Sequence, residues 1–398
     1  NNNPSATPFC LDRGGLANFR ECLRQIKAIC VAIARRVTKE KLFVSKIFSP
    51  LIAQFGIVLN LCLLPVEHRS RHGASGGNSV HRSVSGISAA KDILAVFECS
   101  TVSLSAQFGV DVVHQMISGL VDIFMVNSQN AQNSPQGGSS LTGELMSALQ
   151  KGSTMGSLLI QNLMNFLCVV MTERKKTFHR LHGKVYDLVL GTLAPVIMHG
   201  PSVNFVDLEL AIYKFCRTAL VHHWRTFVSA NMDGGEFRND AKKAVCMSMF
   251  EIVLKSFERG GQAPESFQYN LITLEEANKY NRLYDSPAFQ SVLARHFYFN
   301  LLSVLCSGGQ DLLSAEVMKT LHNMASANYK YFRVNILPAL LNEMMAKAHS
   351  GANAGGVTPE EVSLLLESFC ADNDRPDLFT FSTNVANFVS LKRRCDSS

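Results

Sequence analysis

Between Leu312 and Leu341 the apolar residues fall into two consecutive stripes. Leu313, Val317, Leu321 and Met324 recur at intervals of three or four. After a break at Ala327-Asn328, Phe332, Ile336, Leu340 and Met344 do the same. That spacing places each set on one face of a helix with 3.6 residues per turn. Neither helix can bury its stripe alone, so the expected unit is a helical hairpin that stacks on another hairpin. The design recurs along most of the chain, which predicts an all-α fold of the α-solenoid class. Such arrays bind partners far more often than they catalyse reactions.

The recurring patterns run over Leu16–Ile33, Val44–Leu64, Ala89–Phe97, Val110–Val126, Leu141–Leu149, Met155–Met171 and Val185–Ile197. Further ones cover Phe205–Phe215, Thr218–Ser229, Phe237–Phe257, Phe267–Leu283, Ala288–Leu305, Leu312–Met324, Tyr329–Ala346, Pro359–Phe369 and Asp377–Leu391. Glycine, proline and Asp-Gly pairs punctuate them. Thr358-Pro359-Glu360-Glu361 has the ingredients of a helix start: a capping hydroxyl, proline in the first turn and early acids. Hairpins of this size repeat roughly every 40 to 47 residues, as in HEAT and armadillo arrays, although no fixed sequence repeat is visible. The expected architecture is a single array over residues 1–398, of HEAT-like antiparallel hairpins stacked into a superhelix. Two polar segments, 67–86 and 128–140, read as flexible inserts that bury too little apolar surface to offset their ordering entropy. Within the first, Ser75 and Ser85 follow arginines in the manner of basophilic phosphorylation sites, although a plain solvated insert is the simpler reading.

The 398 residues are 47% hydrophobic and 18% charged, enough apolar material for a continuous buried spine. A net charge of +6 is mild. The basic clusters Arg69 to Arg82, Arg174 to Lys176 and Lys392 to Arg394 are scattered and lack interleaved aromatics, which argues against nucleic acid as the main ligand. Eleven cysteines, an odd number without a CxxC pair, sit mostly inside apolar runs, and there is no Asn-x-Ser/Thr sequon. Together these suggest a reducing compartment. The run Leu51 to Leu64 is shorter than the ~20 residues of a membrane span, so no membrane insertion is expected. Asn1-Asn2-Asn3-Pro4 reads as the interior of a longer protein.

Chemistry-bearing constellations are thin. Cys216 with His222, His223 and Asp207 is the nearest to a nucleophile–base–orienter set. Cys216 and His223, however, are seven residues apart, about 10 Å along a helix axis. His179 and His182 lie three apart without further ligands at metal spacing. Neither a GxGxxG nor a GxxxxGK[ST] loop occurs. No catalytic residue, metal or cofactor is therefore assigned, and the chain is read as a non-enzyme. Trp224, the only tryptophan, reads as core, while Arg225 and Lys243 could line a groove.

Four ordered blocks carry a resemblance: Phe215 through Phe227, Ser266 through Tyr284, Leu321 through Leu341, and Asp374 through Phe379 followed by Phe381, Asn384, Val385 and Phe388. With them the second half of the chain resembles the C-terminal region of the karyopherin-β (importin-β-like) nuclear transport receptors. The nearest branch is that of the exportins associated with actin and profilin–actin. The likeness spans roughly Phe205 to Leu391; upstream only the helical pattern agrees. One departure is Lys392-Arg393-Arg394-Cys395, where the family tail tends to carry an aromatic pair.

The resemblance implies a receptor shuttling between nucleus and cytoplasm. It would bind protein cargo cooperatively with the GTP form of the GTPase Ran and engage nucleoporins, with the coupling stored in superhelix curvature. In the family the main Ran-binding repeats lie toward the N terminus, so this piece alone is expected to bind Ran poorly. The rival readings are a HEAT-type scaffold of a stable complex and an import receptor of the same superfamily. Which residues touch cargo is not legible.

Overall fold

A computed structural model describes residues 13–36, 49–63, 66–68, 79–81, 84–104, 154–172, 181–199, 206–229, 236–258, 263–308, 311–350, 357–371 and 376–396, with a few positions between. The expected helix at Leu141–Leu149, the insert 128–140, Ser75 and Arg174 to Lys176 lie outside them. The chain divides into two compact units, Asn1–Phe215 and Cys216–Ser398. Both are stacks of paired helices, the all-α architecture of an α-solenoid.

The first unit contains α1 (Arg13–Arg36), α2 (Ser49–Cys62), α3 (Val84–Leu104) and α4 (Thr154–Thr172). Helix α3 is the hub, packing on α1, α2 and α4. Its Ala89, Ala90, Ile93, Leu94, Val96 and Phe97 are fully buried. Polar ties flank this core. Arg20 meets Asp92 at 2.6 Å, the Asn162 amide donates to the Lys91 carbonyl at 3.1 Å, and Phe97 meets Phe166 with ring centroids 6.0 Å apart. Gly86 allows α3 to approach α2, because a Cβ there would stand 2.5 Å from the Cys62 carbonyl oxygen.

The insert expected at 67–86 carries regular structure at its two ends. β1 (Val66–His68) and β2 (Ser79–His81) form an antiparallel ladder pairing Val66 with His81 and His68 with Ser79, and Val84 already opens α3. Val66 and Val80 favour extended backbone.

Next comes α5, which runs through His182–Tyr186, a π-helical Asp187–Leu193 and Ala194–His199. In the second unit α12 repeats this device with Tyr329–Tyr331, a π-helical Phe332–Ile336 and Leu337–Ser350. In each, the widened turns end two residues before a proline, Pro195 or Pro338. A proline lacks the N–H for the i→i−4 bond and crowds that carbonyl, so a π-turn lets the helix pass without breaking.

Helix α6 (Val206–Phe227) carries the unit boundary. The sequence suggested two helices here, Phe205–Phe215 and Thr218–Ser229. They are one, because no glycine or proline interrupts Cys216-Arg217 and the two stripes stay in register. The second unit continues with α7 (Asp240–Glu258), α8 (Pro264–Asn281), α9 (Pro287–Val292), α10 (Ala294–Ser307), α11 (Ser314–Ala327), α12, α13 (Pro359–Cys370) and α14 (Leu378–Asp396).

Both stripes from the Leu312–Leu341 stretch face the core: Val317, Leu321, Met324, Phe332, Ile336 and Met344 are at most 3% exposed. Their main partners differ from the expected hairpin. Helix α11 packs on α8, α10 and α14, and α12 packs on α13. Asn328 separates the two helices by capping α12, its side chain accepting the Tyr331 N–H at 3.0 Å.

Aromatics fill the second unit's core. Phe250 is ringed edge-on by Trp224, Phe289 and Phe297 at 5.8–6.2 Å. Phe332 touches Tyr298, Tyr329, Phe369 and Phe381 at 5.2–5.9 Å. Such pairs add about 0.5–1.5 kcal/mol each beyond the area they bury. Thr358 caps the anticipated helix start and closes a capping box, accepting the Glu361 N–H while the Glu361 carboxylate accepts the Thr358 N–H.

Candidate protein-binding surface

The segment Ser266 through Tyr284 shows what its residues do. Proline in the first turn starts α8, and Phe267, Asn270, Leu271, Leu274 and Ala277 turn inward. Several polar residues of the block hold structural partners. The Asn270 amide donates to the Ser256 hydroxyl at 2.9 Å. Glu275 accepts from the Tyr284 hydroxyl at 3.0 Å and from Asn323 on α11 at 2.7 Å. Glu276 accepts two bonds at 2.7 Å from the Arg217 guanidinium on α6. Asn281 donates to the Leu220 and Val221 carbonyls of α6 at 3.1 and 2.8 Å. Helix α8 is thus tied to α6 on one side and α11 on the other. Its C terminus closes at Arg282, which adopts φ 53, and the Asn278 side chain accepts the Tyr284 N–H.

Tyr284 is driven to titrate far above the ordinary phenol range, first by burial and then by the Glu275 carboxylate. It therefore stays a neutral donor, which is what Glu275 requires.

What α8 leaves outward is a stripe bearing Gln268, Ile272, Lys279 and Tyr280. Ile272 is 44% exposed and Tyr280 59%, and Lys279 lies over the Tyr280 ring at 5.5 Å. The Arg217 guanidinium sits over Tyr269 at 5.2 Å. Apolar and aromatic side chains on a cross-linked helical layer offer adhesion to another protein.

The sequence candidates for chemistry fall elsewhere. Cys216 and His223 are buried on α6, His222 is exposed, and Asp207 is exposed in that helix's first turn. His179 and buried His182 have ring centroids 5.0 Å apart, and His182 also meets Tyr186 edge-on. Among the described residues no group of three His, Cys, Asp or Glu could hold a metal ion. No described helix is long and apolar enough to cross a membrane. Trp224 is core, 4% exposed against Phe250. Arg225 and Lys243 are both exposed.

The basic run near the C terminus is occupied structurally. Arg393 donates to the Leu305 and Cys306 carbonyls at 2.7 and 2.8 Å, capping the end of α10 beside the left-handed Gly308. Arg394 pairs with Glu361 at 2.8 Å and Lys392 with Asp396 at 3.3 Å. In the fourth block, the Asp377 carboxylate accepts the Phe379 and Thr380 N–H groups to start α14, and a His322 ring nitrogen lies 3.0 Å from the Pro376 carbonyl oxygen. Sequence reasoning missed these ties. No local signal marks the ties of Arg393, Arg394 and His322, whose partners lie 33 to 88 residues away.

Comparison with known proteins places this geometry. Residues 220–395 match a family model described as exportin-6, C-terminal TPR repeats. TPR repeats are helix–turn–helix units like the HEAT type expected, and both build α-solenoids. Exportin-6-B and Exportin-6-A of Xenopus laevis are each 24% identical over 311 residues, covering 77% of this chain and 25% of the relative. Exportin-6 of Dictyostelium discoideum is 23% identical over 288 residues, covering 72% of this chain and 23% of its own length. The chain is therefore close to the C-terminal part of exportin-6 and spans about a quarter of the length of these relatives. A match over 77% of the chain reaches well upstream of Phe205, where helical pattern alone had been the guide. No solved structure matches significantly.

Proposed function

We propose that the chain is the C-terminal portion of a nuclear export receptor and acts as a binding array rather than an enzyme. It would carry protein cargo from nucleus to cytoplasm with Ran in its GTP form, profilin–actin being the favoured cargo. One observation carries this reading: the stretch matching exportin-6, 220–395, coincides almost end to end with the compact unit Cys216–Ser398. The likeness thus covers a whole folded piece with its ties, rather than scattered helices that chance could align. In this reading residues 1–398 form one continuous array, compliant enough to couple cargo binding to the GTPase through curvature.

The test is affinity capture from extract by the complete receptor, with and without Ran locked in the GTP state. Recovery of actin and profilin only with the locked GTPase supports the proposal. A fixed set of proteins recovered regardless of Ran would instead mean a scaffold subunit, and cargo expelled by Ran an import receptor. The isolated 398 residues should bind Ran weakly, since the family's main Ran-binding repeats lie further upstream. Tight, GTP-dependent binding by this piece would overturn that placement.

A further inference from the structure

Helices α13 and α14 lie side by side and leave between them an open groove of about 320 Å³. Its floor is Leu365 and Leu391, and one wall is Leu364, 64% exposed. The groove is pre-formed. Glu361 and Arg394 lock it at one end at 2.8 Å, and the Asn384 amide ties the helices further along by donating to the Ser368 carbonyl at 3.1 Å. On α14 the positions Phe379, Thr383, Asn387, Ser390 and Arg394 share one side. Phe379, 81% exposed, carries apolar surface to the far end. From Phe379 to Arg394 is about 22 Å, or about four helical turns.

The outer edge beside Leu364 is acidic. Glu360 and Glu367 stand about one turn to either side of it on α13, both exposed, and no Lys or Arg pairs with either among the described residues. We propose that this groove is a docking site for a basic amphipathic helix of a partner protein. Two parallel-lying helices leave a furrow shaped for the ridge of a third, and the apolar positions of an incoming helix would meet Leu364, Leu365 and Leu391. Lysines or arginines along its flank would meet Glu360 and Glu367, so charge selects the partner and sets its direction. The inference is independent of the transport reading.

A labelled helical peptide about four turns long, leucines on one face and lysines on its flanks, is titrated into the 398-residue chain by fluorescence anisotropy. A counterpart with glutamates on the flanks serves as comparison. The basic peptide should bind at least about tenfold tighter, as expected when complementary and like charges face an acidic edge. Leu364→Asp should weaken it about tenfold, as loss of a central apolar contact does, without moving the thermal midpoint. Ser390→Trp, which blocks the groove from α14, should do the same, whereas Val102→Asp on α3, 62% exposed, should not. Glu360→Lys with Glu367→Lys should reverse the preference between the peptides. Equal binding of both peptides, or indifference to Leu364→Asp and Ser390→Trp in folded protein, would overturn the proposal. Leu364-dependent self-association in sedimentation would assign the groove to a second copy and overturn it too.

Discussion

Glu275 and Glu276 are neighbours on α8 whose carboxylates serve opposite sides: Glu276 grips Arg217 of α6, and Glu275 holds Asn323 of α11 and the Tyr284 hydroxyl. Residues adjacent in a helix diverge by about 100°, so one dipeptide can tie three helices. The two ties differ in cost when cut. The Arg217–Glu276 pair is half-exposed, with each side chain 31% accessible. Its bidentate geometry places Glu276→Ala at about 1 kcal/mol, near the upper end for such pairs. Glu275→Ala strands a fully buried phenol, which costs about 1–3 kcal/mol in desolvation. Urea unfolding should therefore rank Glu275→Ala as the more damaging, and the reverse order would refute this account.

Gly86 makes a second, sterically sharper case. An alanine methyl there meets a carbonyl oxygen of the helix backbone, which cannot rotate away as a side-chain end would. Gly86→Ala should lose about 1–3 kcal/mol, the usual range for overpacking, despite alanine's better helix propensity. A thermal midpoint that rises on substitution would mean that α2 and α3 can separate freely.

Helix existence was legible because it depends on periodicity alone. Val317, Leu321 and Met324 announce a buried face in the bare string, and Thr358 to Glu361 announce a cap whose bonds then form. Pairing was not legible, since a stripe states that it needs cover without stating from which helix. Hence α11 found α8, α10 and α14. The ties were also hidden: Arg217 and Glu276 are 59 residues apart, and nothing local in either marks the other. The proposed role was suggested only by likeness to relatives, because a protein-binding face has no obligatory residue chemistry.

Acid should loosen the junction of α13 and α14. The Glu361 carboxyl is held below its ordinary 4.5 by the Arg394 guanidinium and by the Thr358 N–H. The Asp377 carboxyl is likewise held below its ordinary 3.8, first by the Thr380 hydroxyl. A carboxyl that is more acidic when folded stabilises the fold above its unfolded value, and that contribution is lost as pH falls through the folded value. Melting followed between about pH 6 and about pH 3 should show a decline below the ordinary carboxylate values, blunted in Glu361→Gln. An undiminished decline in that variant would locate the acid sensitivity elsewhere.

Cysteine reactivity should separate along burial. The thiolate is the reactive form, and taking a thiol out of water penalises that charge. Burial pushes Cys30 up to about 12, with Cys99 adding to it, and pushes Cys62 to about 12. Cys246 is raised further for the same reason. Cys22 on α1 and Cys370 at the end of α13 are exposed. Among the described cysteines, a maleimide applied to the folded chain near pH 7.5, roughly one unit below a free thiol's pKa, should label Cys22 and Cys370 first. Peptide mapping should find Cys30, Cys62 and Cys246 modified only after denaturant is added. Rapid native labelling of Cys30 or Cys62 would show that the layer of α1, α2 and α3 opens, and would count against the packing on which Gly86 depends.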